Sequence, residues 1–285
     1  MKFRGHETFF IRRGWLTKGL KYVSRKADIF VTRTERPMDI LGLGTNMVKS
    51  LRYWLQAVGL TVEPNSGKRV QNLTKLGEII YKYDRYIEEC GTLALLQYKL
   101  ACNETEATSW YFFFNEFGLR EFSQEDFISM IKSYAKNRGK EIADRSYSDD
   151  FNCIIGTYIA KEKSVSPEES IVSPFSELGL IREISRGVYQ KSTVKTENLP
   201  LAIVLAIILD IADGKCEVKL EKLLSKPRSI GCAFNLNTAM LLEILQRLED
   251  NGTLKLVRTA GLDVVNILTD KTSEQVIEEY YLALN

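Results

Sequence analysis

Pro37-Met38-Asp39-Ile40-Leu41-Gly42-Leu43-Gly44-Thr45-Asn46-Met47-Val48-Lys49-Ser50-Leu51-Arg52-Tyr53-Trp54-Leu55-Gln56-Ala57-Val58 reads as a helix, a tight glycine turn and a second helix. Pro37 suits the first turn of a short helix through Leu41, Gly42 and Gly44 close it, and Thr45 is placed to cap a helix from Asn46 to Val58. In the second helix Met47, Val48, Leu51, Trp54, Leu55 and Val58 recur at spacings of three and four and turn inward. Asn46, Lys49, Ser50, Arg52, Tyr53 and Gln56 fall on the other side. Upstream, Gly14 to Ala27 reads as a helix with Trp15, Leu16, Leu20 and Val23 on its apolar stripe and Lys18, Lys21, Arg25 and Lys26 outside it. Downstream, Leu60-Thr61-Val62, a loop with Pro64, Asn65, Ser66 and Gly67, and Lys68-Arg69-Val70 read as strand, basic turn and strand, the wing of a winged helix. A helix from Thr74 to about Tyr83 closes the module near residue 90.

Working outward, the spacing predicts a mostly α protein with small β wings in four parts. These are a winged-helix domain over 1–90, a helical domain over 91–160, a linker with short strands over 161–198, and a C-terminal winged helix over 199–285. In the second part, Thr92 to Cys102, Ser109 to Phe117, Gln124 to Asn137 and Asp149 to Ala160 read as helices; Trp110-Tyr111-Phe112-Phe113-Phe114 is apolar on every side and reads as buried at a junction rather than as a base-stacking surface. Pro167, Pro174 and the polar run from Lys161 to Ser170 mark the linker. The last part places helices at Leu199 to Asp213, Leu220 to Leu224 and Asn237 to Asp250, then strands at Thr253 to Arg258 and Leu262 to Ile267 joined by Thr259-Ala260-Gly261. Its third helix carries Glu243, Glu249 and Asp250, which suits a protein partner better than DNA.

Charge separates the two ends. Residues 1–90 hold 17 Lys and Arg against 9 Asp and Glu, a net +8, whereas the remaining residues hold 22 against 28, a net −6. A basic block on a folded module is the footprint of phosphate-backbone binding. The most apolar run, Leu199 to Ile211, is too short to span a bilayer, and Met1-Lys2-Phe3-Arg4-Gly5-His6 lacks the apolar core of a signal peptide, so a cytoplasmic protein with no membrane partner is expected. Five cysteines, Cys90, Cys102, Cys153, Cys216 and Cys232, contain no C-x-x-C pair and read as buried thiols; the single histidine excludes any mechanism that needs two.

Arg and Lys read guanine or hold phosphate, and Asn and Gln read adenine, so the outer face of the second helix with Lys18, Lys68 and Arg69 forms a candidate duplex-DNA surface. The opening stretch from Phe3 to Trp15 is dense in chemistry. His6 suits proton transfer, Glu7 suits a divalent cation, and Arg4 and Arg12 suit a phosphodiester on which charge is building. An equally open reading makes His6 and Glu7 a structural pair. A single carboxylate does not hold magnesium, so Asp84 and Glu88 are needed beside Glu7 if the fold brings them close.

Three segments carry a family resemblance: Gly5-His6-Glu7-Thr8-Phe9 through Gly14-Trp15-Leu16-Thr17-Lys18-Gly19, Leu41-Gly42-Leu43-Gly44-Thr45-Asn46-Met47-Val48 through Leu51-Arg52-Tyr53-Trp54, and Thr108-Ser109-Trp110-Tyr111-Phe112-Phe113-Phe114-Asn115-Glu116-Phe117. They resemble the SspB-type component of the Ssp DNA phosphorothioation system, a bacterial family of formerly unknown function found beside DNA sulfur-modification genes. The resemblance implies a DNA-nicking protein of phage defence that acts with a cysteine desulfurase, an ATPase and a sulfur-transfer enzyme, with magnesium or manganese as candidate ions and no organic cofactor; a homodimer is compatible with it. Two alternatives stand beside nicking: a non-catalytic DNA-recognition adaptor and a winged-helix transcriptional regulator.

Overall fold

The computed structural model describes residues 1–32, 34–64, 67–160, 172–259 and 262–284. The Lys161–Ser170 run with Pro167, the wing-tip Asn65 and Ser66, and the turn residues Ala260 and Gly261 lie outside them. The amino-terminal module comprises α1 (Arg13–Val23), α2 (Pro37–Leu41), α3 (Thr45–Ala57), β1 (Thr61–Val62), β2 (Asn72–Leu73) and α4 (Lys75–Tyr83). Gly42 closes α2 at φ 59°, a left-handed conformation that glycine adopts without penalty, and its N–H bonds the Met38 carbonyl. Thr45 does not cap α3: Gly44 stands at that position, and the Thr45 hydroxyl donates to Met38 Sδ at 2.8 Å. The returning strand is Asn72–Leu73, paired antiparallel as Thr61↔Leu73 and Val62↔Asn72, and not Lys68-Arg69-Val70. Those three residues remain in the loop, where Arg69 is left-handed (φ 53°).

The middle of the chain holds α5 (Cys90–Cys102), α6 (Thr108–Asn115), β3 (Glu121–Phe122), α7 (Gln124–Asn137) and α8 (Asp144–Tyr158). Ser123 caps α7 with Asp126 in a reciprocal capping box. Helix α5 is buried almost all round, packed on α6 and on two later helices, α9 (Leu201–Ala212) and α11 (Ile230–Phe234). The aromatic run of α6 is buried, and Phe112, Phe113, Phe117, Phe122 and Phe127 form an edge-on ring cluster around it.

Part of the expected linker is sheet. Strands β4 (Ile181–Ser185) and β5 (Val188–Lys191) form a hairpin, and β3 adds to β5 as the third strand. The carboxy-terminal part adds β6 (Glu217–Lys219), α10 (Leu220–Leu224), α12 (Thr238–Asp250), β7 (Leu254–Thr259), β8 (Leu262–Ile267) and α13 (Ser273–Leu282), with strand order β6-β8-β7. Helix α13 packs on α9 and returns to α4; Tyr281 stacks on Tyr83 at 5.7 Å and shares a 2.6 Å hydroxyl bond with Thr92. One core therefore runs from Ile11 to Tyr281, and the boundaries expected near 90, 160 and 198 do not separate independent cores. Of the five thiols only Cys153 is fully buried; Cys216 is exposed.

Two glycines are fixed by contact. A Cβ on Gly77 would stand 2.1 Å from the Leu60 carbonyl oxygen, and one on Gly231 would stand 2.0 Å from that of Leu224. Alanine favours a helix over glycine by about 1 kcal/mol, but a backbone clash cannot be relieved by a rotamer change. Gly77→Ala and Gly231→Ala are each expected to lower stability by about 1–3 kcal/mol in denaturant unfolding, and a gain in either would contradict the packing.

Lys191 closes the end of α6. Its ammonium donates to the Phe113 and Phe117 carbonyls at 2.6 Å each and lies over both rings. Burial pushes it down from 10.5 to about 7, against a small opposing pull from Cys232. The unfolded chain thus holds this proton to higher pH than the folded one, so the group's contribution to stability rises as pH climbs from about 7 towards 10.5. The slope is at most about 1.4 kcal/mol per pH unit, and Lys191→Met is expected to remove this rise when unfolding is compared at pH 7 and pH 9.

Candidate nucleic-acid interface

The segment 4–9 is held in an uncommon backbone. Arg4 (φ 56°), Glu7 (φ 50°) and Thr8 (φ 71°) are all left-handed, each a cost of about 1–3 kcal/mol for a side chain with a Cβ. A buried network offsets it. Asp150 of α8 accepts from the Arg4 N–H at 2.8 Å and from His6 Nε2 at 2.7 Å through Oδ1, and from the Ser109 hydroxyl at 2.5 Å through Oδ2. The Thr8 N–H donates to His6 Nδ1 at 3.1 Å, so that nitrogen is the acceptor and the ring proton sits on Nε2, facing Asp150. His6 is wholly buried, enclosed by the rings of Tyr53, Trp54 and Trp110. Gly5 has to be glycine here, since a Cβ would lie 2.5 Å from the Tyr53 ring.

The four residues expected to cleave a phosphodiester do not converge. His6 is sealed in the core as the inner pin of the segment, because its two ring nitrogens are fully used there. Arg4 turns to Asp149, with Nε 2.7 Å from Oδ2. Arg12 lies over Trp15 at 4.6 Å and near Phe9 and Phe10; its Nε is buried without a hydrogen-bond partner, and burial lowers its pKa. Only Glu7 reaches a shared cleft. The metal set is not assembled either: Asp84 accepts from the N–H groups of Glu88 and Glu89 and from the Thr92 hydroxyl, which ties it to the start of α5. Among the described residues no three His, Cys, Asp or Glu side chains converge as metal ligands.

A polar cleft of about 360 Å³ lies between segment 4–9, α3 and the β1–β2 ribbon, and it joins Glu7 to Lys49, Arg52, Tyr53, Gln56 and Arg69. Its mouth and its wall differ. Asn46, Lys49, Lys68 and Arg69 are exposed, and Lys49 Nζ stands 3.9 Å from Glu7. Arg52 and Gln56 are committed to the protein: Glu63 accepts from Arg52 Nε at 2.7 Å and from Gln56 Nε2 at 3.0 Å, while Arg52 also donates to the Arg69 carbonyl. Gln71 donates to the Arg52 carbonyl at 2.9 Å and completes the clamp of ribbon to helix. Ser50 and Tyr53 are buried, contrary to the outer-face expectation; Gly5 and His6 of segment 4–9 cover the Tyr53 ring. Burial, together with Asp150, pushes the Tyr53 phenol well above its usual range, so it stays protonated. Lys18 is elsewhere, donating to the Leu41 carbonyl at 2.7 Å.

Sequence reasoning missed Asp150, Ser109, Glu63 and Gln71. The only signal for Asp150 was indirect: a histidine inside an apolar segment needs a polar partner once buried, yet that partner lies 144 positions away. Glu63 stood in plain view beside the ribbon. An acid in an otherwise basic wing marks a fixed cation, and here the cation is Arg52.

No curated protein sequence matches the chain. Among solved structures it is similar to a magnesium-ion-bound SspB crystal structure, with 26% identity, a TM-score of 0.86, and coverage of 98% of this chain and 88% of that one. A further SspB crystal structure gives 25% identity and a TM-score of 0.85 with the same coverage. The model for the family described as protein of unknown function (DUF4007) matches residues 3–281, and with this fold the chain belongs to that family and is of the SspB type.

Proposed function

We propose that the chain is a component of DNA phosphorothioate modification that docks duplex DNA on α3 and the β1–β2 ribbon as a winged helix does, and nicks one strand there. The cleft carries this reading: it sets Glu7 beside Lys49 and Arg69 at the mouth of a helix-and-ribbon surface, where a backbone phosphate would meet cations, while the other two carboxylates on its lining, Glu63 and Glu106, pair with Arg52 and Lys2. The likeness to SspB over nearly the whole chain supports this reading, and the cysteine desulfurase, ATPase and sulfur-transfer enzyme that the family resemblance implies are the partners to test. The similar structure named for its bound magnesium makes magnesium or manganese the ions to test. Glu7, Asp84 and Glu88 do not form a donor set, so no step is routed through either ion. His6 acts in this account as a positioning residue that holds the left-handed turn presenting Glu7.

The adaptor reading is favoured by one observation, the dispersal of Arg4, His6 and Arg12 away from the cleft. Supercoiled plasmid separates the two. Purified protein incubated with plasmid, with and without magnesium or manganese, is expected to yield open circles, and Glu7→Gln is expected to abolish them while duplex affinity stays within a few fold. Duplex binding without open circles under every ion condition would leave the adaptor.

A further inference from the structure

The basic charge of residues 1–90 resolves into two kinds of cation. Lys2, Arg4, Arg13, Arg36, Lys49, Arg52 and Lys75 each have a carboxylate within 4 Å. Among the described residues Arg12, Lys18, Lys21, Arg25, Lys26, Lys68, Arg69, Lys82 and Arg85 have none, and four of these, Lys18, Lys21, Arg25 and Arg85, line one cavity of about 490 Å³ between α1 and the turn from α4 to α5. Three tyrosines, Tyr22, Tyr81 and Tyr86, share that lining, and no aspartate or glutamate does. The volume is within the range of small-ligand sites. It shares no residue with the cleft at α3.

The stripe is built into α1. Residues 14, 17, 18 and 21 recur at helical spacing on the side opposite Trp15, Leu16, Leu20 and Val23, which are buried, and Arg25 extends the stripe in the turn after the helix. The opposite wall comes from α4 and the turn after it, where Tyr86 is 59% exposed although a tyrosine on a short turn has a core to join; Ile87, next to it, is fully buried at φ 58° and anchors the turn. Arg85 lies over the Tyr81 ring at 5.6 Å and Lys21 over Tyr22 at 5.8 Å, so cations and π faces alternate across the opening. An ordinary solvated helix face needs no rings.

We propose that this cavity holds a nucleotide of a single nucleic-acid strand, its phosphate on Lys21, Arg25 and Arg85 and its base against Tyr86 and Tyr22. Unpaired cations beside exposed aromatic faces are the chemistry of single-strand binding, since every base has a stacking face and every linkage a charge. A free nucleoside monophosphate presents the same groups. A strand brings neighbouring phosphates as well, and Lys21 on the last turn of α1 with Arg25 in the turn after it can meet more than one. The inference rests on this cavity and not on duplex docking at α3.

The test is fluorescence anisotropy with the intact chain and a labelled oligothymidine, with unlabelled thymidine monophosphate as competitor. Oligothymidine is expected to bind with a salt-dependent affinity, Tyr86→Ala to weaken it by roughly tenfold, and Arg25→Glu with Arg85→Glu to weaken it further and flatten the salt dependence. Lys49→Glu with Arg69→Glu should leave it within about twofold, which separates this site from the α3 cleft. All of the altered side chains are exposed, and matching thermal melts establish that the variants are folded. Unchanged affinity in the cavity variants overturns the proposal. So does thymidine monophosphate binding as tightly as the strand, which would make the occupant a free nucleotide.

Discussion

Replacing Asp150 with alanine is expected to lower the stability of this chain by about 3–5 kcal/mol, a fall of roughly 5–15 °C in melting temperature. Three donors lose their acceptor at once: the Arg4 N–H, His6 Nε2 and the Ser109 hydroxyl. His6 and Ser109 are buried where water does not replace it. Removing His6 is expected to cost a similar amount, because Asp150 would stay buried with two donors in place of three and the left-handed segment 4–8 would lose the acceptor of the Thr8 N–H. Asp150→Asn keeps the shape and two acceptor bonds, so its expected cost is only about 1–2 kcal/mol. Melts of the three variants decide the matter. His6→Ala with an unchanged melting temperature and no nicking would make His6 a catalytic group and contradict the positioning role.

The second large effect is on DNA. Lys49, Lys68 and Arg69 are exposed at the mouth of the α3 cleft and its ribbon, and reversing all three to glutamate is expected to weaken duplex binding on the order of a hundredfold at low salt and to reduce the log-log salt slope by about 3. Arg52 behaves differently. Its guanidinium is held by Glu63 and the Arg69 carbonyl, so Arg52→Gln is expected to loosen the ribbon, read as faster proteolysis near residues 61–73, before it changes any phosphate contact. A salt slope untouched by the triple reversal would place duplex docking elsewhere.

What could be read from the sequence was local. Helix α2 starts and stops where Pro37 and Gly42 put it, because caps and breakers act within a turn of the backbone they control, and α7 keeps the bounds Gln124–Asn137 read from its period. The apolar stripe of α3 was legible for the same reason, whereas its polar side was not: Ser50 and Tyr53 are buried, Tyr53 under a segment more than 40 positions earlier, and nothing in a helical period reports which polar residues another element will cover. Short strands were expected within 161–198, but not that one of them, β5, pairs with β3 some 70 positions upstream. Strand β6 went unread because three residues, Glu217–Lys219, show too little alternation to mark a strand without their partner β8. The site followed the same rule. Glu7 lines one cleft with Lys49 and Arg69, and not with Arg4, His6 and Arg12 as read from the sequence, and His6 leaves that group because Asp150 draws it inward.

The central claim is that the amino-terminal helix and ribbon form the duplex-docking face, and hydrogen exchange of the intact chain with and without a duplex tests it without altering a residue. The account predicts slowed exchange at residues 42–50 and 61–73, with strands β7 and β8 unchanged. Protection confined to residues 201–284, with the ribbon exchanging as in the free protein, would contradict it.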